Sequence, residues 1–272
     1  MSSLLEVNHL SVSTRQKGHE KVLVSDVSFT VEKGRCLGIL GESGSGKSMT
    51  CKAIMGLLDH NYKITGSVQL SGRELTEMSG EKKRTLRGKD MCMILQNPMN
   101  CFDPLYRIGT QMEETFRTHT RLSSKEIQLQ SVDILERMQI KNPEDVLKKY
   151  PHQFSGGMLQ RVMIGLALAL KPKLIIADEP TTAIDSITQF EIIKEFIRLK
   201  QELDAAIIFV THDLGIITQL ADDVVIMHKG IAVEQGPLRD VFRHAVDPYT
   251  RMLIEKRMAV MNQFERVVYQ RG

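Results

Sequence analysis

The chain has no tryptophan and only four cysteines in 272 residues. Cys36, Cys51, Cys92 and Cys101 are too far apart for a close-spaced metal cluster, and none follows Cys101. Cys36 and Cys92 fall in apolar runs, so the cysteines read as reduced core residues. An excess of one charge is also missing, with 36 Lys and Arg against 33 Asp and Glu. That balance gives no reason to invoke nucleic acid as a partner. Lys82-Lys83-Arg84, with Arg87 and Lys89, reads as a wetted face. No apolar run reaches 18 residues, so the chain is not expected to cross a membrane alone. Its strongest run, Val162 to Leu170, is short, contains Gly165 and fits a buried helix. Met1 to Glu6 lacks the basic-then-apolar order of a secretory signal. Repeats and low-complexity segments are absent too. What is present is an ordinary globular composition, long enough for one large domain or two subdomains. Its 15 methionines suit irregular core gaps.

Against this background one stretch stands out. Gly41-Glu42-Ser43-Gly44-Ser45-Gly46-Lys47-Ser48 fits G-x-x-x-x-G-K-S/T at every fixed position. Cys36 to Leu40 before it reads as a buried strand, and Met49 to Met55 after it as a helix. A strand, a glycine turn and a helix N-terminus aim backbone N–H groups inward, where they can cradle polyphosphate. Lys47 can reach the β- and γ-phosphates, and Ser48 can hold Mg²⁺. A flexible Gly/Ser surface loop rarely meets all these conditions at once.

The remaining pattern is mixed. Leu4–Val12 and Val22–Val31 read as strands, the first with an irregularity near His9. Gly66–Gly72 and Met91–Leu95 follow as strands. Residues 97 to 170 change character: Ile108–His119, a segment capped by Ser123 and Glu126, Pro143 onward and Met158–Leu170 all read as helices. Ile127, Val132, Leu135 and Met138 form the apolar face of the second. Strands return at Leu174–Ala177 and Ala206–Val210, around a helix over Ser186–Leu203. A short helix at Leu214–Leu220 and a hairpin across Lys229-Gly230 come next. Helices then follow from Leu238 and from Pro248 to about Val260, and the last ten residues read as frayed.

Three strand ends carry further chemistry. Leu174 to Ala177 lead into Asp178 and Glu179, the pattern of the second half of an ATPase site. This strand is expected to pack beside the phosphate loop, with Asp178 toward Mg²⁺ and Glu179 on the attacking water. His212 follows another buried strand and can bond the γ-phosphate. Gln96 ends a further strand and can bridge the Mg²⁺ or water region to the helical insertion. Ser155-Gly156-Gly157 opens a helix far from the loop and makes a second anion-binding surface. Two such surfaces on one chain suggest that the second completes a neighbour's site.

These residues together resemble the nucleotide-binding subunit of an ABC transporter, over about residues 4 to 255. In that likeness Gly41–Ser48 is Walker A, Gln96 the Q-loop glutamine, and Asp178 with Glu179 Walker B and the catalytic glutamate. Phe154–Met158 takes the signature's place, Thr182–Asp185 the D-loop's and His212 the switch histidine's. Gln96-Asn97-Pro98, Phe102–Leu105, Tyr150-Pro151 and Asp247–Thr250 are similar to the peptide and nickel importer group. Gly157 to Arg161 resembles nickel and metal–metallophore importer ATPases. The fold implied is α/β, a P-loop NTPase core of ABC type with an antiparallel β subdomain and a helical insertion. The implied division is 1–96 with 171–236 as core, 97–170 as helical subdomain and 237–272 as C-terminal extension.

The resemblance implies ATP hydrolysis with Mg²⁺, powering import of nickel or a metal–metallophore complex; the alternative cargo is a dipeptide or oligopeptide. Catalysis is assigned to Glu179, His212 and Gln96, and Mg²⁺ to Ser48, Gln96 and Asp178. Nucleotide contacts fall to Gly41, Glu42, Ser43, Gly44, Ser45, Gly46, Lys47, Ser48 and Met49, with Ser155, Gly156, Gly157 and Asp185. Partners implied are a paralogous or identical ATPase subunit in a nucleotide-sandwich dimer, two membrane permeases and, indirectly, an extracellular substrate-binding protein. The expected location is the cytoplasmic face of the cell membrane. Two departures stand out: Met158 replaces the signature's usual glutamine, and no aromatic residue lies between Val12 and Val27 to stack on adenine. Arg15 or His19 is expected to cover the base instead.

Overall fold

The computed structural model describes residues 3–16, 19–182 and 184–256. Three runs in the sequence are apolar but for the closing Asp178 of the second: Cys36–Leu40 (β3), Leu174–Asp178 (β7) and Ala206–Val210 (β8). Such runs suit parallel strands covered on both faces, and all fifteen residues are buried. With Met91–Ile94 (β6), Asp223–His228 (β9) and Ile231–Pro237 (β10) they form a six-stranded sheet. Its order is β10-β9-β3-β8-β7-β6, parallel except for β10 at one edge. β8 therefore lies between β3 and β7. The two site strands are thus next but one to each other. The parallel arrangement still brings Gly41, His212, Glu179 and Gln96 to one edge, outside the carboxyl ends of the strands, where open α/β sheets bind ligands.

A second sheet is antiparallel, in the order β2-β1-β4-β5. It comprises Ser3–Gln16 (β1), His19–Glu32 (β2), Tyr62–Leu70 (β4) and Arg73–Glu74 (β5). The irregularity expected near His9 is a bulge, with His9 at φ 52° and a register shift between Val7 and Leu10.

Alternation along the parallel strands divides the interior into two cores. Leu37, Ile39, Ile176 and Ile208 face helix α1 (Lys47–Met55) and the antiparallel sheet. Cys36, Leu40, Ile175, Ala177, Ile207 and Phe209 face the helical side. That side holds α3 (Ile108–His119), α4 (Ser124–Arg137), α5 (Pro143–Leu147) and α6 (Gly156–Ala169), all between β6 and β7 in the chain, then α7 (Ser186–Leu203), α8 (Leu214–Leu220) and α9 (Leu238–His244). The short α2 (Gly80–Leu86) precedes β6. The Ser123–Glu126 capping box forms as expected. In α4, Ile134 takes the core position expected of Val132, which is only half-buried. Cys101 is exposed before α3 rather than in the core. Residues 248–256 are helical; the expected continuation to Val260 and the frayed end lie outside the described residues.

Candidate active site

The glycine loop is tightly packed where it leaves β3 and enters α1, while Gly44 at its middle faces open space. Gly41 has φ 152°, and a Cβ there would sit 2.2 Å from the Met227 carbonyl oxygen. Glycine is thus required by close backbone approach. Gly46, at φ 102°, ends the turn and leaves the first N–H groups of α1 without a side-chain cap. Those donors and the helix dipole favour an anion. Lys47 is 5% exposed, and its Nζ donates to the carbonyls of Gly41 and Glu42, each at 2.8 Å. Burial pulls its pKa down, opposed by the nearby Glu179 and Asp178 carboxylates. Ser45 Oγ is buried with no hydrogen-bond partner among the described residues. An unsatisfied hydroxyl, a buried ammonium and free helix N–H groups together suit a polyphosphate.

Across the sheet edge, Ser48 Oγ donates to Asp178 Oδ1 at 2.9 Å. Burial raises the Asp178 pKa, with Glu179 adding to it, while Ser48, Lys52 and Lys47 oppose. A hydroxyl and a buried carboxylate at this distance are hard oxygen donors. They fit Mg²⁺, which keeps waters and takes phosphate oxygens rather than a full protein cage. Glu179 adopts the left-handed region at φ 47°, unusual for a residue with a side chain. The Glu179 N–H donates to the Val210 carbonyl at 2.9 Å, and the Thr182 hydroxyl donates to the Glu179 carbonyl at 3.1 Å. These bonds turn the carboxylate back over the loop. Gln96 Nε2 donates to Glu179 Oε2 at 2.9 Å, and His212 Nδ1 stands 3.7 Å from Oε1.

The resulting cavity holds about 620 Å³. Gly41, Glu42, Ser43, Gly44, Gly46, Lys47, Ser48, Met49, Gln96, Glu179 and His212 line it. Asp178 joins through Ser48 and Ser45 lies buried beneath the loop. Other expected residues stand apart. Ser155 caps α6, accepting from Met158 N at 3.3 Å, and neither Ser155, Gly156 nor Gly157 lines the cavity. Asp185 is exposed and caps α7 by accepting from Thr188 N. Neither Arg15 nor His19 reaches the cavity, and Arg15 lines a separate cleft beside Glu20 and His60. Leu23 and Leu253 are there instead.

Sequence reading also passed over Gln160. It is fully buried, and its Nε2 donates to the carbonyls of Leu95 at 3.3 Å and Pro180 at 2.8 Å. It thereby ties α6 to the chain beside both Gln96 and Glu179. Its only signal is a polar side chain on the apolar face of a helix. Leu23 and Leu253 gave none, because isolated leucines look alike wherever they fall.

Comparison with known proteins agrees with this geometry. The ABC transporter family profile matches residues 24–182. The metal-staphylopine import system ATP-binding protein CntD of Staphylococcus aureus is 44% identical over 266 residues, covering 98% of this chain and 97% of that protein. The oligopeptide transport ATP-binding protein OppD of Salmonella typhimurium is also 44% identical, over 247 residues, covering 91% of this chain and 74% of that one. In fold, the chain superposes on a dimeric ATP-binding cassette solved with ADP and phosphate. The TM-score is 0.79 at 24% identity, covering 86% of this chain and 99% of the other. No described helix is long and apolar enough to cross a membrane. The chain belongs to the ABC transporter family as an ATP-hydrolysing subunit, homologous to ATPases of both metal–metallophore and peptide import.

Proposed function

We propose that this subunit powers import of a metal–metallophore complex or nickel, from the cytoplasmic face of the membrane. The observation that carries the cargo is the likeness to the metal-staphylopine ATPase, which runs through 97% of that protein at 44% identity. A peptide importer is the second reading, because the oligopeptide relative reaches the same identity over its shorter match. Residues 1–96 and 171–236 serve as the ATPase core, 97–170 as the helical arm and 237–272 as a C-terminal extension.

In the cycle, Lys47 exchanges the carbonyls of Gly41 and Glu42 for the β- and γ-phosphates of ATP, and the N–H groups of α1 hold the rest. Ser48 and Asp178, with Gln96 beside them, would hold Mg²⁺, which would supply charge neutralisation for the transferred phosphoryl group. Glu179 orients the attacking water and draws its proton. Gln96 donates to that carboxylate, which links the water to the arm that begins at residue 97. His212 steadies Glu179 and the γ-phosphate. Ser155, Gly156 and Gly157 act on ATP held by a second subunit, identical or paralogous, with Asp185 near the same junction. The arm meets a permease pair, and an extracellular binding protein communicates only through those permeases.

The test is ATP turnover by the subunits reassembled with their permeases and binding protein in vesicles. Nickel salts, metal–metallophore chelates, dipeptides and oligopeptides are supplied in turn. Stimulation by a metal species is expected. Stimulation by peptides alone would replace the metal reading with the peptide one.

A further inference from the structure

The phosphate end of the cavity is accounted for, but the base end is not. Among the described residues, its lining includes no Phe, Tyr or Trp. Four leucines line it: Leu23, Leu40, Leu214 and Leu253. Leu40 and Leu214 are spent on the core, at 1% and 5% exposed. Leu23 and Leu253 are half-buried and keep apolar surface free. A nucleobase is flat with apolar faces, and such a ring is held mainly by surfaces of this kind.

Both leucines are fastened to the phosphate loop. On one side Leu23 precedes Val24 and Ser25 in β2. Ser25 N donates to the Gly230 carbonyl at 2.8 Å, and Gly230 N donates to the Ser45 carbonyl at 3.1 Å. On the other side Leu253 lies in the helix at 248–256, one turn after Tyr249 and on the same face. Tyr249 Oη accepts the N–H of Glu42 at 2.9 Å, and its ring stacks on His228 with centroids 3.9 Å apart. Asp247 starts this helix by accepting from Tyr249 N and Thr250 N. Glu234 on β10 anchors the approach, accepting from Val246 N at 2.9 Å and Asp247 N at 3.2 Å. A continuous set of bonds therefore runs from β10 through the helix to the loop itself.

We infer that Leu253, carried by the C-terminal helix, and Leu23 form the apolar seat of the nucleotide's base, with Tyr249 holding that seat in register with the phosphate loop. The inference rests on the reading of the cavity as an ATP site. It assigns to the C-terminal helix a part in nucleotide binding, and it replaces Arg15 and His19 as cover for the base. Contact through leucine faces carries no donor or acceptor code, so guanine and adenine nucleotides should bind alike.

The experiment compares two ligands on the full chain by calorimetry: Mg²⁺–ATP, and Mg²⁺ with inorganic tripolyphosphate, which lacks a base. Leu253→Ser is expected to weaken ATP about 10-fold while tripolyphosphate stays within about twofold, and Leu253→Met should restore ATP. Leu23→Ser repeats the test if the first variant fails to fold. Equal weakening of both ligands, or no change in either, would overturn the seat. Lys47→Ala should lose both ligands. Wild-type protein that binds neither would refute the ATP site itself, a result distinct from failure of the seat.

Discussion

Gly41–Ser48 and Ser155–Gly157 are both short glycine–serine turns that open a helix, yet their surroundings differ. Around Gly41 there is no room for a methyl group, and Lys47 is buried and bonded back onto its own loop. Ser155 and Gly156 are exposed, and a Cβ on Gly156 would meet nothing within 4 Å. The first turn is walled by β3, α1, β9 and the helix at 248–256. The second presents N–H groups to open space, with only its own cap satisfied. A phosphate site needs enclosure to exclude water and to strengthen its electrostatics. One turn has that enclosure within the chain; the other, in its proposed role on a partner's ATP, would gain it from outside. This asymmetry is the physical reason to expect a dimer with ATP between subunits.

Lys47→Ala gives the largest effect expected, because it removes the one buried cation of the enclosed turn. Nucleotide binding should fall by at least ~10²-fold, as for loss of a desolvated charge partner, and turnover should vanish. Titration with a fluorescent ATP analogue checks this. Near-normal affinity would mean that the loop N–H groups suffice, and the contrast between the turns would lose its basis.

Glu179→Gln comes next. The side chain keeps its shape and its contact with Gln96, but it can no longer take a proton. Turnover should drop ~10²- to 10⁴-fold, the usual range for a general base, with ATP affinity nearly intact. Single-turnover hydrolysis beside equilibrium binding separates the two quantities. Unchanged turnover in the assembled complex would remove Glu179 from its role.

Ser155→Ala addresses the open turn directly. Affinity of the isolated subunit for ATP should stay the same, because Ser155 touches no part of its own cavity. Turnover of the assembled complex should fall, by up to ~10²-fold if the hydroxyl bonds the partner's nucleotide in the transition state. Loss of the cap also costs about 1 kcal/mol of stability. Reduced affinity in the isolated subunit would erase the distinction between the two turns.

The same contrast governs how much could be read before the fold was known. Enclosed elements announce themselves. The three fully buried strands are apolar runs broken only by the terminal Asp178, and the phosphate loop carries fixed glycines where its backbone geometry favours them. Helices with caps, such as α4 behind Ser123, were equally plain. Sites made by distant pieces were not. The order of β3, β8 and β7 depends on long-range pairing that no local pattern encodes. Gln160 looks like a misplaced polar residue until the carbonyls of Leu95 and Pro180 appear beside it. Absence of an aromatic residue in the early stretch was visible, but the proposed seat pairs Leu23 of that stretch with Leu253, more than 200 residues later.

Asp185 offers the smallest effect and a pH-dependent one. It stands beyond the cavity, at the start of α7. The Thr188 N–H bonded to its carboxylate, with help from the Thr188 hydroxyl, holds its pKa below the ordinary value. A depressed carboxylate contributes stability that is fully present above the unfolded pKa and lost as pH falls through the folded one. The cap should therefore work in full at neutral pH and fade only below the ordinary aspartate range, near pH ~4. Asp185→Asn keeps a capping oxygen and removes the charge. It should lower the melting temperature slightly at pH 7, by an amount that shrinks as the pH falls below about 4, as measured by circular dichroism in each buffer. If Asp185 serves the junction between subunits as well as the cap, this variant will also slow turnover in the assembled complex while the isolated subunit binds ATP normally. Equal turnover would confine Asp185 to capping α7.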